Sequence, residues 1–258
     1  MGAAETKAQV PPGILRRLQA RGFEVKCLHH AEAIATIDFG KGMDELEGTL
    51  EAISIPIDEI VAGGGGEAEG TQRLRRALTG LNWAKRNFQI DKTINGRVRE
   101  SISHAVDHVR ELVNGTIALE IEWNNKDPFF DRDLENFKRL HAEGAISLGI
   151  IVTRGTSLHA QMKRLVSDFA TARGITSFET LAPYDELTRR QRTIIEKRLG
   201  GGRPISFADA WVSMFCSDKY GEATTHWSKL MERVQRGVGS PCPLILIGIP
   251  AGVVAAVC

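Results

Sequence analysis

Three carboxylates, Asp107, Glu120 and Glu122, are the residues of this chain best suited to chemistry, with twelve residues between the first and the second. Glu120 and Glu122 stand two apart in a β-rich run from Thr116 to Trp123, so both side chains project from one face of a strand. Ile117, Leu119 and Ile121 take the opposite, apolar face. If Asp107 lies on the neighbouring strand, the three acids converge at one sheet edge. Carboxylates so placed repel one another and raise one another's pKa. A hard divalent cation compensates them, and an oxygen-rich site suits Mg2+. Such a cation lowers the pKa of a bound water and stabilises the pentavalent phosphorus of a phosphodiester under attack. Spacing alone also fits a plainer role, in which both glutamates face solvent from an amphipathic edge strand.

The elements that must position these acids are legible around them. Ser101 to Leu112 alternates in places, and Asn114-Gly115 joins it to the glutamate run, which is a hairpin signal. Asp133 to Ala142 has helical spacing, with Leu134, Phe137 and Leu140 on one face and Gly144 as its stop. Ala145 to Thr153 is a near-continuous apolar strand, of the kind buried on both faces. Further helices are expected at Ile14–Ala20, Met43–Ile53, Leu158–Ala172 and Leu187–Leu199, the last ended by Gly200. Thr176 with Glu179 reads as a capping box. Strands are expected at Gly22–Leu28 and Leu244–Ile249. Interleaved strands and helices define an α/β fold, a central mixed β-sheet flanked by helices. The run Gly63–Gly66 reads as a flexible loop before a basic helix from Thr71 to about Leu81. It lacks the Lys-Ser/Thr ending of a phosphate-binding P-loop.

The 258 residues suffice for one catalytic domain, with 42% hydrophobic and 25% charged residues. The net charge of +1 hides a division. Residues 1–70 carry 6 Lys/Arg against 12 Asp/Glu, a possible acidic N-terminal lobe, whereas residues 71–110 carry 9 against 3. That basic segment opens the remaining core, 71–258, and suits a DNA-facing surface, though a solvated helix face has the same composition. Cys27, Cys216, Cys242 and Cys258 form no CxxC pair, which fits reduced thiols in a cytoplasmic protein rather than a zinc site. No signal peptide and no membrane span is expected.

The segment from Ile117 to Phe137 (IALEIEWNNKDPFFDRDLENF), followed by Ile146 to Arg154, resembles the core of restriction endonucleases related to BamHI and BglII, in the PD-(D/E)XK superfamily. The resemblance covers roughly Arg97 to Leu181 and is specific around residues 117–137. It implies a Type II restriction endonuclease that cuts double-stranded DNA at a short palindrome, with a GATC-containing target, 5′-phosphate products and 5′ overhangs. In the superfamily pattern one strand carries an acid and the next carries acid-x-lysine. Asp107 matches the first acid and Glu120 the second. Glu122 stands where lysine is usual; the BamHI branch also has glutamate there, and BglII glutamine. Asp107, Glu120 and the Ile121 carbonyl would hold Mg2+, and Glu122 would orient or deprotonate the attacking water. Losing the lysine puts more of the transition-state charge on the metal. Asn124, Asn125, Lys126 and Arg132 would read bases in the major groove. A turn with Asp131 or Asp133 as helix cap is the competing account of that stretch. A two-fold target implies a homodimer, with the helix Asp133–Ala142 and His141 as its interface.

Weaker signals surround these. His104 and His108 flank Asp107 at a spacing that binds metal on helices, whereas a strand is expected here; either could touch a phosphate. Lys219 to Trp227 could form a second DNA-contacting loop. Trp83 and Phe88 lie amid Lys85 and Arg86 and fit either DNA contact or a helix packed on the sheet. The alternatives to a restriction enzyme are a repair or mobile-element nuclease of the same superfamily, and a DNA-binding protein without catalysis.

Overall fold

A computed structural model describes residues 13–62, 68–202 and 204–255. The first half of the chain runs α1 (Arg16–Ala20), β1 (Glu24–Leu28), α2 (Ala31–Asp38), α3 (Gly40–Glu51), β2 (Ile55–Pro56), α4 (Ile57–Val61), α5 (Glu69–Gly80), β3 (Ala84–Ile94), β4 (Arg97–Leu112) and β5 (Gly115–Glu122). There follow α6 (Pro128–Ala142), β6 (Leu148–Arg154), α7 (Thr156–Ala172), α8 (Phe178–Leu181), α9 (Arg189–Leu199), α10 (Phe207–Lys219), α11 (Trp227–Gln235), β7 (Leu244–Ile249) and β8 (Val254–Ala255). Six strands form one mixed sheet in the order β1-β7-β6-β5-β4-β3. The β5–β6 and β6–β7 pairs are parallel, as their helical crossovers require, and the rest are antiparallel. The glycine run Gly63–Gly66 falls outside the described residues.

β6 and β7 are buried along their whole length, because helices cover both faces of the sheet. One face packs Ile117, Leu119, Ile150 and Val152 against α3, α7 and α10. The other packs Ala118, Ile151 and Leu244 against Phe130, Leu134 and Phe137 of α6 and Leu230 of α11. A side chain on Gly149 would meet Phe137 at 2.6 Å, so this glycine sets how closely α6 approaches the sheet. β1 pairs with β7, which builds the acidic N-terminal stretch into the same core. Arg110 of β4 forks onto Glu45 of α3 at 2.8 and 2.9 Å and ties the sheet to that helix.

Three local expectations are corrected. Trp83 and Phe88 belong to no helix: Trp83 is buried just ahead of β3, and Phe88 lies within it. β3 and β4 form a long hairpin closed at Asn95 and Gly96, whose φ values of 51° and 74° fit a two-residue turn. α6 starts at Pro128, five residues earlier than the apolar stripe suggested, with proline in the first helical position; neither Asp131 nor Asp133 caps it. The capping box before α8 is Ser177 with Thr180, one residue on from the expected pair.

Candidate active site

β5 lies inside the sheet, between β4 and β6, so Glu120 and Glu122 are not the solvent face of an edge strand. Each is only 3% exposed. Their odd-numbered neighbours fill the core on one face, and the alternation sends both glutamates to the face that α6 covers. The floor of an open cleft of about 860 Å³ holds Asp107, Glu120 and Glu122, and its wall includes Asn124, Asn125 and Arg132.

The hairpin brings Asp107 beside Glu120, with a displacement. Between the pairs Ala84↔Val109 and Arg86↔Val106, β4 has one residue more than β3, a bulge at Asp107–His108. The bulge turns the Asp107 side chain outward, where it is 48% exposed and bonded to Lys85 Nζ at 2.8 Å. Its backbone amide donates to the Glu120 carboxylate. Lys85 gave no signal of its own in the sequence, since a β3 lysine meets Asp107 only through strand pairing.

A further acid, Asp133 of α6, enters the site fully buried. Its Oδ1 takes Arg132 at 2.8 Å, while its Oδ2 has no hydrogen-bond donor among the described residues. One oxygen of Asp133, one of Glu120 and a ring nitrogen of His104 lie within 4.8 Å of one another. Asn136 donates to His104 Nδ1 at 2.9 Å, so any proton of the neutral ring sits on Nε2, which faces Glu120 at 3.7 Å. His104 thus presents a donor to the acids. Burial, then Asp133 and then Asp107 push the Glu120 carboxyl well above its ordinary range. Burial, followed by the charge of Asp133, lifts Glu122 to about 8 against the bond it accepts from Asn125. The metal-free site therefore holds protons at neutral pH.

Asn125 Nδ2 donates to Glu122 Oε2 at 2.6 Å, and Arg132 lies 3.6 Å from Glu122 and over the Phe129 ring. The turn 124–127 is itself clamped. Asp127 N bonds to Ala223 O, Thr225 N bonds to Asn125 O, and Lys126 bridges Thr224. The loop after α10 thus supports the turn, and Trp227 opens α11 behind it. Of the residues singled out in the sequence, His104, Asp107, Glu120, Ile121, Glu122, Asn124, Asn125 and Arg132 line the one cleft. Lys126 is exposed just beyond it, and His108 is buried in the bulge.

A family model described as restriction endonuclease BglII/BglIII matches residues 23–249. Comparison with curated proteins gives no match.

Proposed function

The chain belongs to the BglII/BglIII restriction endonuclease family, and from this premise we propose a single-domain, Mg2+-dependent enzyme that hydrolyses both strands of a short palindrome. The family makes it a Type II restriction endonuclease acting on double-stranded DNA. The observation that carries the finer reading is the pair Glu120 and Glu122, buried side by side on an interior strand yet open to a cleft lined by the 124–132 segment. The orphaned, buried Oδ2 of Asp133 beside them fits a hard cation. Asp107, Glu120 and the Ile121 carbonyl are the oxygens to hold it. When bound, Mg2+ supplies Lewis acidity at phosphorus and a more acidic water.

Glu122 orients the attacking water and takes up its proton, a task open to it once a bound cation draws its own proton off. Asn125 holds Glu122 in place. Asn124, Asn125, Lys126 and Arg132 meet the major groove, where amide and guanidinium groups read adenine and guanine edges. By likeness to the family the target contains GATC and the products carry 5′-phosphates on 5′ overhangs. A two-fold target is matched by a homodimer joined through the outer face of α6 and His141. No helix among the described residues is long and apolar enough to cross a membrane, and the free thiols of Cys27, Cys216 and Cys242 fit a reducing cytoplasm.

Plasmid digestion with Mg2+, followed by sequencing of the fragment ends, tests this reading. Discrete fragments with one shared end sequence are expected. A smear would mean a nonspecific nuclease, and intact plasmid with a gel shift in Ca2+ would mean binding alone.

A further inference from the structure

Asp133 occupies a position where its helix calls for an apolar residue. Phe130, Asp133, Leu134 and Phe137 form the buried stripe of α6, and all four are fully shielded from solvent. It is the sixth residue of the helix, beyond the first turn, so capping does not explain an acid there. Arg132 satisfies only Oδ1. Among the described residues Oδ2 has no hydrogen-bond partner, and the carboxyls of Glu120 and Glu122 crowd the same buried space. Burying a charge without its full set of partners costs stability, and one cation at the rim, Arg132, does not balance three acids.

The placement is also rigid. Arg233 of α11 grips Asp127 at 2.8 Å and Asp131 at 3.4 Å, fixing the first turn of α6, while Gly149 lets the helix settle onto the sheet. The acid is thereby held over Glu120 by two independent contacts of its helix.

We propose that Asp133 is a cation-binding carboxylate of the active site, its free Oδ2 facing the same divalent ion as Glu120. This rests on the cation reading above and adds a ligand from α6 to those of β4 and β5. Asp107, turned outward and held by Lys85, is then the outer carboxylate of the set and Asp133 the inner one. His104 completes the same cluster, with one ring nitrogen within 4.8 Å of the two acids.

The test is Tb3+ luminescence and Ca2+-dependent melting of the full-length, DNA-free protein. Asp133→Asn is compared with wild type, Glu120→Gln and Asp107→Asn. Asparagine keeps the shape of the side chain and an oxygen for Arg132. Asp133→Asn is expected to weaken cation binding about tenfold or more, in line with what ligand-supporting groups contribute. In EDTA it should melt at or above the wild-type temperature, because one of three acids crowded into a buried space is gone. A ligand role is overturned if Asp133→Asn binds the ion as wild type does, or if it melts lower in EDTA with the Ca2+-induced shift intact. That second pattern belongs to a structural partner of Arg132. If Glu120→Gln loses the ion and Asp133→Asn keeps it, this inference alone fails. If wild type binds none, the cation reading falls with it.

Discussion

Two buried charged groups flank the C-terminal end of β5, and they are finished to different degrees. Arg154, at the end of β6, is fully buried and bonds to no carboxylate among the described residues. Its guanidinium is nevertheless used: Nε donates to Trp123 O at 2.7 Å, and Nη2 to Thr224 Oγ1 at 2.7 Å and Thr225 O at 2.8 Å. Nη1 stands 3.4 Å from His159 Nδ1, and the plane lies over Tyr220. Burial lowers its pKa to about 10, which leaves it charged at neutral pH. On the acid side, Glu120, Glu122 and Asp133 are equally buried, yet an oxygen of Asp133 goes without a donor and two carboxyls are driven to keep protons. A buried charge whose bonds are complete is architecture, here pinning the loop that supports the turn 124–127. A buried set left incomplete is prepared for something that arrives later.

Substitutions on the two sides should therefore fail in opposite ways. Glu120→Ala removes a proposed cation ligand and is predicted to cut cleavage on the order of a thousandfold or more, since metal assistance supplies several kcal/mol. Its melting temperature in EDTA should hold or rise. Single-turnover cleavage beside thermal melts checks both. Arg154→Met instead strips donors from three acceptors, at roughly 1–3 kcal/mol for each one left bare. It should lower the melting temperature by about 10 °C or more. A melt unchanged in Arg154→Met would break the comparison.

The acid side also predicts a pH dependence. Glu120 and Glu122 have folded pKa values raised above the ordinary 4.5, with Glu122 near 8. The folded protein then holds protons that the unfolded chain has released. That stability is fully present below about pH 4.5 and is lost as pH rises through 8. Melts in EDTA should fall across this window, and Glu122→Gln should flatten the slope. Cation affinity should climb over the same range as protons leave. A flat EDTA profile in wild type would contradict the burial of these groups.

The turn 124–127, proposed to read bases, offers a smaller effect. Asn125→Ala should weaken binding to the cognate site by about 1–3 kcal/mol while leaving nonspecific DNA binding little changed, measured by gel shift in Ca2+. Lys85→Ala should do least to stability, at most about 1 kcal/mol, because its bond to Asp107 is solvent-exposed.

Much of this site is local in sequence and was legible for that reason. Glu120 and Glu122 announce their shared face by a period of two, and β6 announces its burial by unbroken apolar residues. What escaped is what only tertiary pairing creates. β3 is exposed along most of its length and so carries little apolar alternation, and Asn95-Gly96 held the one clear sign of its hairpin. The bulge that turns Asp107 outward depends on register with β3. Asp133 was hidden at an expected helix start; Pro128 as the true first residue places it instead in the buried stripe with Phe130 and Leu134. The support of 124–127 by the loop around Thr224 joins residues about a hundred positions apart, beyond any periodicity.

Anomalous diffraction from crystals soaked in Mn2+ addresses the metal centre most directly. The expected result is a peak within about 2.5 Å of a Glu120 oxygen, shared with a carboxylate of Asp107 or Asp133. Mn2+ at a concentration that supports cleavage, but with no peak beside Glu120, would contradict the account.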